Sequence, residues 1–319
     1  MSEYLIRIQL YGRFDPTNMA ILTGPDANSA WVDLIRGIVE RGEECQPRGL
    51  RIKEILCNTV IVDMARPVVS VRARKIGYRF MAREAYCILT GKNDVSSIEK
   101  YSPHIASFSN DGYRFDGHYG PKVVDQLRYV VDSLVKDVDS RQAVLSIWRE
   151  NPRDSFDIPC TLTIQFLIRD GRLHCIDSMR SSDAWLGIPY DAFNFSMLSA
   201  YVLLMLRAHD RKRREGGGAQ SQASLENLQL GNLYLTAGSS HLYVDPKADG
   251  NDHIPYSIKN ACEIVTRYYA PDCAALDERQ TSYKPLNVDE FEYPGRLIDV
   301  LSEIADNRSP HNWMAEFRK

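Results

Sequence analysis

The sequence predicts an α+β fold, and three observations carry that prediction. Stretches with apolar residues at every second position alternate irregularly with stretches that repeat at helical spacing. Two strand-like runs, 159 to 169 and 172 to 178, are joined by Asp170-Gly171, a dipeptide suited to a tight hairpin turn. The 319 residues are 44% hydrophobic and 25% charged, an average soluble composition with ample material for a core. The chain reads as one domain over 1–319, with a flexible loop at 216–227 and a divergent segment at 246–319.

The elements follow in order. Residues 3 to 12 alternate as a strand and carry charge, which separates them from a secretory signal. Ser29 to Arg41 places Trp31, Leu34, Ile35, Ile38 and Val39 on one helical face. A polar loop follows, in which Pro47-Arg48-Gly49 presents a guanidinium beside an open backbone; this is either a solvated loop charge or a phosphate contact. Residues 54 to 62 and 67 to 72 read as strands. Tyr78 to Thr90 reads as a helix closed by Gly91. Glu84 at its centre is either an edge charge paired with Arg83 or Lys75, or a carboxyl on an apolar face with a raised pKa. After a loop at 107–120, Pro121 opens a helix with the stripe Val123, Val124, Leu127, Val130, Val131 and Leu134. A strand at 143–148 precedes the hairpin. A long helix runs from Ala192 to Arg213, its basic end favoured by the helix dipole. Leu228 to Tyr243 reads as a pair of strands, and Pro294 to Ala305 as a last helix. No internal repeat is present.

Charge and cysteine usage exclude several classes. A net charge of −3 supplies no basic field for nucleic acid. The longest apolar run, Phe193 to Leu206, is too short to span a membrane. Seven cysteines, odd in number, scattered and without a CxxC, argue against zinc or a disulfide framework and for a reducing, cytoplasmic setting.

The chemistry concentrates between Asp157 and Asp191. Cys160 follows Pro159, the hairpin intervenes, and a polar knot of Arg180, Ser181, Ser182 and Asp183 leads into Trp185-Leu186-Gly187-Ile188-Pro189. A thiol, an arginine and hydroxyls brought together by a hairpin suit an anionic ligand.

These motifs resemble the thymidylate synthase family, including its nucleotide hydroxymethylase branch, over roughly residues 40 to 245. The match rests on Pro159-Cys160 with Gln165 and Phe166, on Arg180-Ser181-x-Asp183-x-x-Leu186-Gly187-x-Pro189, and on Leu230 to Tyr243 ending in His241-Leu242-Tyr243. Helix 78–90, His118-Tyr119-Gly120 and Asp139-Ser140-Arg141 follow the same order. The resemblance implies a large mixed β-sheet flanked by helices, with one sheet face forming a homodimer interface. It implies Cys160 as a nucleophile toward position 6 of a pyrimidine ring, its thiolate favoured by Arg180. Glu84 and Tyr119 would relay the proton from position 5. Arg180, Ser181, Arg48 and, from the partner subunit, Arg141 would hold the 5′-phosphate of a pyrimidine nucleotide monophosphate. His241 and Tyr243 would hold the sugar, and Asp183 and Gly187 would face 5,10-methylene-tetrahydrofolate.

Two departures refine the expectation. Uracil-using members carry Asn where this chain has Asp191. Cytosine offers a lone pair at ring position 3 and an amino group at position 4, and a carboxyl sharing one proton with position 3 satisfies both. Asp191 also reads as a cap of the following helix. The charged terminus, Met314 to Lys319, differs from the apolar tail that closes thymidylate synthases, which would let water capture the one-carbon intermediate. The resemblance therefore implies hydroxymethylation of a cytidylate. It extends to phage deoxycytidylate enzymes and to the cytidylate enzymes of nucleoside-antibiotic biosynthesis; chain length favours the second, hence CMP rather than dCMP. A dUMP-using synthase and a non-catalytic nucleotide- or RNA-binding homologue are the alternatives.

Overall fold

Strand pairing across distant parts of the chain builds one mixed sheet. In the computed structural model, residues 20–24, 26–149, 154–155, 157–216, 225–244, 257–269 and 284–308 are described. The strand expected at 3–12, most of the 216–227 loop and the terminus at 314–319 lie outside them. Among the described residues the strands are β1 (Ala20–Thr23), β2 (Glu43–Cys45), β3 (Ile52–Asp63), β4 (Val144–Ser146), β5 (Thr161–Arg169), β6 (Arg172–Met179), β7 (Ser182–Asp183) and β8 (Gln229–Tyr243). The order is β1-β3-β8-β6-β5-β4, with β2 beside β3 and β7 beside β8. β6 and β7 run parallel to β8, and β3 runs antiparallel to it. The helices are α1 (Ala27–Arg41), α2 (Tyr78–Thr90), α3 (Gly120–Lys136), α4 (Ile188–Glu215), α5 (Ser257–Tyr268) and α6 (Pro294–Ala305).

One sheet face is dry. Val60, Val62, Phe166, Leu173, Cys175, Leu233 and Leu235 point into a core shared with Trp31, Leu34 and Ile35 of α1 and with Phe193, Phe195 and Leu198 of α4. Each such side chain contributes about 1.5–3 kcal/mol when fully buried. The other face carries Thr59, Ile61, Ile176, Tyr234 and Thr236, which line a shallow hollow outside that core.

Local chemistry sets the helix ends. Asp26 caps α1 by accepting from the Ser29 amide at 2.9 Å. Gly91, in the left-handed region, ends α2 as its spacing predicts. The next glycine that matters is Gly120: a Cβ there would stand 2.6 Å from the Cys87 carbonyl oxygen. Its bareness lets α3 start against the end of α2, and so brings Tyr119 beside the helix of Glu84.

Three expectations require correction. Leu228 to Tyr243 is one 15-residue strand, not a pair. Its glycines mark close approach rather than a turn: a Cβ on Gly231 would meet the His174 ring at 2.7 Å, and one on Gly238 the Arg180 carbonyl oxygen at 2.9 Å. Residues 67–72 form no strand, because Asn28 takes the role of a neighbouring strand. Its side chain accepts from the Ser70 amide at 2.6 Å and donates to the Ser70 hydroxyl at 2.9 Å. The divergent C-terminal segment also contains a helix, α5, that composition did not signal. It packs against α1 and anchors the end of β8, where the Tyr243 amide donates to Ser257 Oγ at 2.6 Å.

The long helix starts four residues earlier than periodicity suggests, at Ile188, with Pro189 in its first turn. Its basic end is neutralised locally, Arg213 and Arg214 pairing with Asp210 at 2.9 and 3.4 Å. Among the described residues no helix is long and apolar enough to cross a membrane.

Candidate active site

Cys160 stands where the chain enters β5, just after Pro159. The strand entry is clamped from β6 and the loop beyond it. The Arg180 amide donates to the Cys160 carbonyl oxygen at 2.8 Å. The Arg180 guanidinium donates to the carbonyls of Pro159 and Ile158, both at 3.0 Å, and to Ser181 Oγ at 3.1 Å. Its Nη2 and Ser181 Oγ each lie 3.9 Å from Cys160 Sγ. Arginine and hydroxyl thus favour a thiolate, yet burial outweighs them and Asp191 adds like charge, so the thiol pKa is raised. The expected thiolate is therefore not the resting form. The thiol is stored neutral, and Arg180 and Ser181 are placed to stabilise charge as it develops.

Beside Cys160 opens a cavity of about 220 Å³. That is below the roughly 300–1,000 Å³ usual for small-molecule sites, so it can enclose the planar part of a ligand while the remainder lies outside. Its polar wall is Glu84, His118, Tyr119, Asp157, Asp191 and Asn194; Ile88, Ile98, Ile105, Phe108 and Phe115 form an apolar wall. Phe108 is about half exposed, at 54%.

The polar wall holds its protons tightly. Burial lifts the Glu84 carboxyl to about 7, against a hydrogen bond from Asn194 Nδ2 at 2.6 Å that lowers it. The sequence alternative of an ion pair to Arg83 or Lys75 is replaced by this amide. Asp191 is pushed well above the carboxylate range by burial first, then by Glu84 and Asp183. It does not cap α4: the cap is Gly187, and the Asp191 amide already donates to the Gly187 carbonyl at 2.9 Å. Its carboxyl turns into the cavity instead. Gly187 makes room for it, since a Cβ there would lie 3.3 Å from Asp191 Oδ2 and 3.0 Å from the Asp183 carbonyl oxygen.

Tyr119 stacks on Phe195, ring centroids 6.2 Å apart, and its hydroxyl accepts from the Thr161 amide at 3.3 Å. Burial, with Cys160 and Asp191 nearby, keeps the phenol protonated. His118 is held neutral, its pKa lowered by burial to about 4, and its Nδ1 accepts from the Gly120 amide at 3.1 Å.

At the other side of Cys160 stand the residues of β8 and the Arg48 loop. The His241 and Tyr243 rings meet edge to face at 5.3 Å. Burial lowers the His241 pKa, and its Nδ1 is buried without a hydrogen-bond partner among the described residues. Arg48 sits in the left-handed region, φ 56°, and its charge lies close enough to Tyr243 to act against the rise in the phenol pKa. Such strain in a non-glycine residue concentrates at ligand clamps. Asp183 Oδ1 is occupied by the amides of Trp185 and Leu186 at 2.7 and 2.9 Å, which shapes the turn into α4. Arg141 is the exception. It is exposed in a separate groove with Tyr129, Asp132, Lys136 and Asp139.

Sequence reasoning missed Asn194, Thr161 and Asp177. Two of them carried a signal: Asn194 is a polar residue inside an apolar helical run, and Asp177 is a charge at an inward strand position between Cys175 and Met179.

A half-buried thiol, proton-retaining acids and arginines around one small cavity define a site fitted to nucleophilic addition to a flat, anionic ligand. The chain belongs to the thymidylate synthase family, whose model matches residues 29–212, more than half of its length. It is also 27% identical over 251 residues to a deoxyuridylate hydroxymethyltransferase of Bacillus phage SP01. That match covers 71% of this chain and 60% of the relative, so the chain spans about 60% of the length of the relative it matches. Members of the family transfer a one-carbon unit from methylene-tetrahydrofolate to a pyrimidine nucleotide.

Proposed function

We propose that this chain is a cytidylate 5-hydroxymethylase, with CMP as substrate and 5,10-methylene-tetrahydrofolate as carbon source. The observation that carries the base assignment is Asp191, a carboxyl that burial keeps protonated, facing the cavity beside Cys160. It donates its proton to ring position 3 of cytosine and accepts from the amino group at position 4. Uracil can take the same proton only at its position 4 oxygen, so the discrimination rests on cytosine position 3, which is basic enough to share the proton and leave carboxylate character facing the amino group.

The other residues divide the work. Arg180, Ser181 and Arg48 hold the phosphate. His241, whose Nδ1 lacks a partner among the described residues, and Tyr243 hold sugar hydroxyls. Cys160 Sγ adds to position 6, Arg180 and Ser181 stabilising charge at sulfur. Glu84, poised near 7, takes up the position 5 proton, and Tyr119 passes hydrogen bonds between it and the ring. The folate supplies a carbon at the formaldehyde level, so water completes the product without a redox step. The apolar wall of Ile98, Ile105, Phe108 and Phe115 suits its flat ring, and Asp183 and Gly187 are the family positions expected to face it.

The chain acts as a homodimer in this reading. The uncovered sheet face with Ile61, Ile176 and Tyr234 is the pairing surface, and Arg141, remote from its own Cys160, completes the partner's phosphate site.

Product mass after incubation with formaldehyde, tetrahydrofolate and CMP, dCMP or dUMP tests the reading. A hydroxymethyl product from CMP is expected, and Asp191→Asn should transfer activity toward uridylates. A wild type that works on dUMP and ignores both cytidylates refutes the base assignment. A strong preference for dCMP over CMP corrects the sugar alone.

A further inference from the structure

Thr161 follows the nucleophile in sequence, and both its polar groups are spoken for. Its amide donates to the Tyr119 hydroxyl oxygen at 3.3 Å, and its Oγ1 donates to Asp177 Oδ2 at 3.2 Å. Thr161 and Asp177 are both 0% exposed. Asp177 occupies the inward alternation of β6 between Cys175 and Met179, a position that apolar side chains fill elsewhere on the strand. Its second oxygen, Oδ1, has no partner among the described residues. No cation among the described residues offsets it: burial and the like charge of Asp191 both act to keep its proton on. An apolar side chain would serve the core without that cost. What the acid does there is accept one hydrogen bond, from the residue next to Cys160.

We propose that Asp177 is a positioning residue of the active site: through Thr161 it fixes the strand entry that carries Cys160 and seats the Tyr119 hydroxyl. With the Thr161 amide donating to the phenol oxygen, the phenol's own proton is directed to another partner, toward the cavity that Tyr119 lines. The acid and the threonine form a second hold on the strand entry, separate from the bonds of Arg180 to the carbonyls of Ile158, Pro159 and Cys160. This inference rests on the roles assigned above to Cys160 and Tyr119.

The test uses the full chain and whichever of CMP, dCMP and dUMP the wild type turns over. Asp177→Leu preserves bulk and removes the acceptor; kcat is expected to fall about 10- to 100-fold, the scale of slight misplacement at a reacting centre. KM for the nucleotide is expected to hold. Asp177→Asn, which keeps a neutral carbonyl acceptor, is expected to restore most of kcat. Thr161→Val should reproduce the leucine variant, and the double variant should be no worse than either single one, because they remove one bond. A second readout is independent of turnover. The rate at which iodoacetamide alkylates Cys160, followed by mass spectrometry of its peptide, should change in Asp177→Leu and return toward wild type in Asp177→Asn. Wild-type kcat and alkylation in Asp177→Leu overturn the proposal. So does an Asn variant as impaired as Leu, which would mean that the residue acts as an anion. If the wild type turns over none of the nucleotides, the proposed function falls, and the alkylation series still decides the role of Asp177.

Discussion

Glu84→Gln should stabilise the protein, and by an amount that grows with pH. The carboxyl sits between α2 and α4, where burial lifts its pKa from 4.5 to about 7. A raised carboxyl opposes folding wherever the unfolded chain would ionise it. The cost is absent below pH 4.5, increases as pH climbs toward 7 and is constant above it. A shift of that size corresponds to about 3 kcal/mol at pH 8 and about 1 kcal/mol at pH 5. Glutamine keeps the acceptor for Asn194 Nδ2 and never ionises, so it escapes this cost. Thermal unfolding of wild type and variant at equal protein concentration, at pH 5 and pH 8, reads the difference. The variant's advantage should widen by about 2 kcal/mol, or about 4 °C in Tm at roughly 2 °C per kcal/mol. Turnover should meanwhile fall about 10²- to 10⁴-fold. An advantage equal at both pH values would show that Glu84 titrates as an ordinary surface carboxyl, and the assigned base near neutrality would be lost with it.

Two further outcomes follow from the geometry. Gly187→Ala forces a methyl group toward Asp191 Oδ2 at 3.3 Å and the Asp183 carbonyl oxygen at 3.0 Å, so the carboxyl must turn aside. Discrimination between cytidylate and uridylate should fall about tenfold, measured as the ratio of kcat/KM values, while Cys160 alkylation is unchanged. For the proposed dimer, Arg141→Ala and Cys160→Ala proteins should each be crippled. Mixing them in equal amounts after denaturation and refolding should restore about one quarter of wild-type activity, the share of sites that are wholly native; no recovery would place Arg141 outside the partner's site.

Much of this was legible because it is local. Gly91 ends α2 where a left-handed residue is needed, Pro294 opens α6, and Asp170-Gly171 turns the hairpin, φ 50° and 69°. Cys160, Arg180 and Ser181 lie on one hairpin, so their meeting follows from the turn alone. Other features depended on distant partners. The glycines of β8 read as turns until the His174 ring and the Arg180 carbonyl fill the space they leave. The valines at 68, 69 and 71 are buried, yet Asn28, 42 residues away from Ser70, supplies the hydrogen bonds a strand would have given. Asp191 stands at a helix start, where a cap is the local expectation; only the packing of α4 against α2 turns it inward. Asp177 escaped notice because its hydrogen-bond partner on the adjacent strand, Thr161, is 16 residues away and out of register with it.

The arrangement of charge in the cavity also acts as an orientation filter. Glu84 and Asp191 line the cavity and Asp177 is buried behind Thr161, and burial presses all three toward their uncharged forms. Arg180 and Arg48 stand exposed at the approach to Cys160. A molecule with a doubly negative end and a neutral flat end experiences opposite pulls along this axis: its anion is held at the rim and its ring is admitted to the dry interior. The reverse entry would place a phosphate beside these acids and away from Arg48. Under the proposed function a nucleotide is aligned in this way before any base contact forms, and free nucleosides, lacking the anion, should dock without a preferred direction.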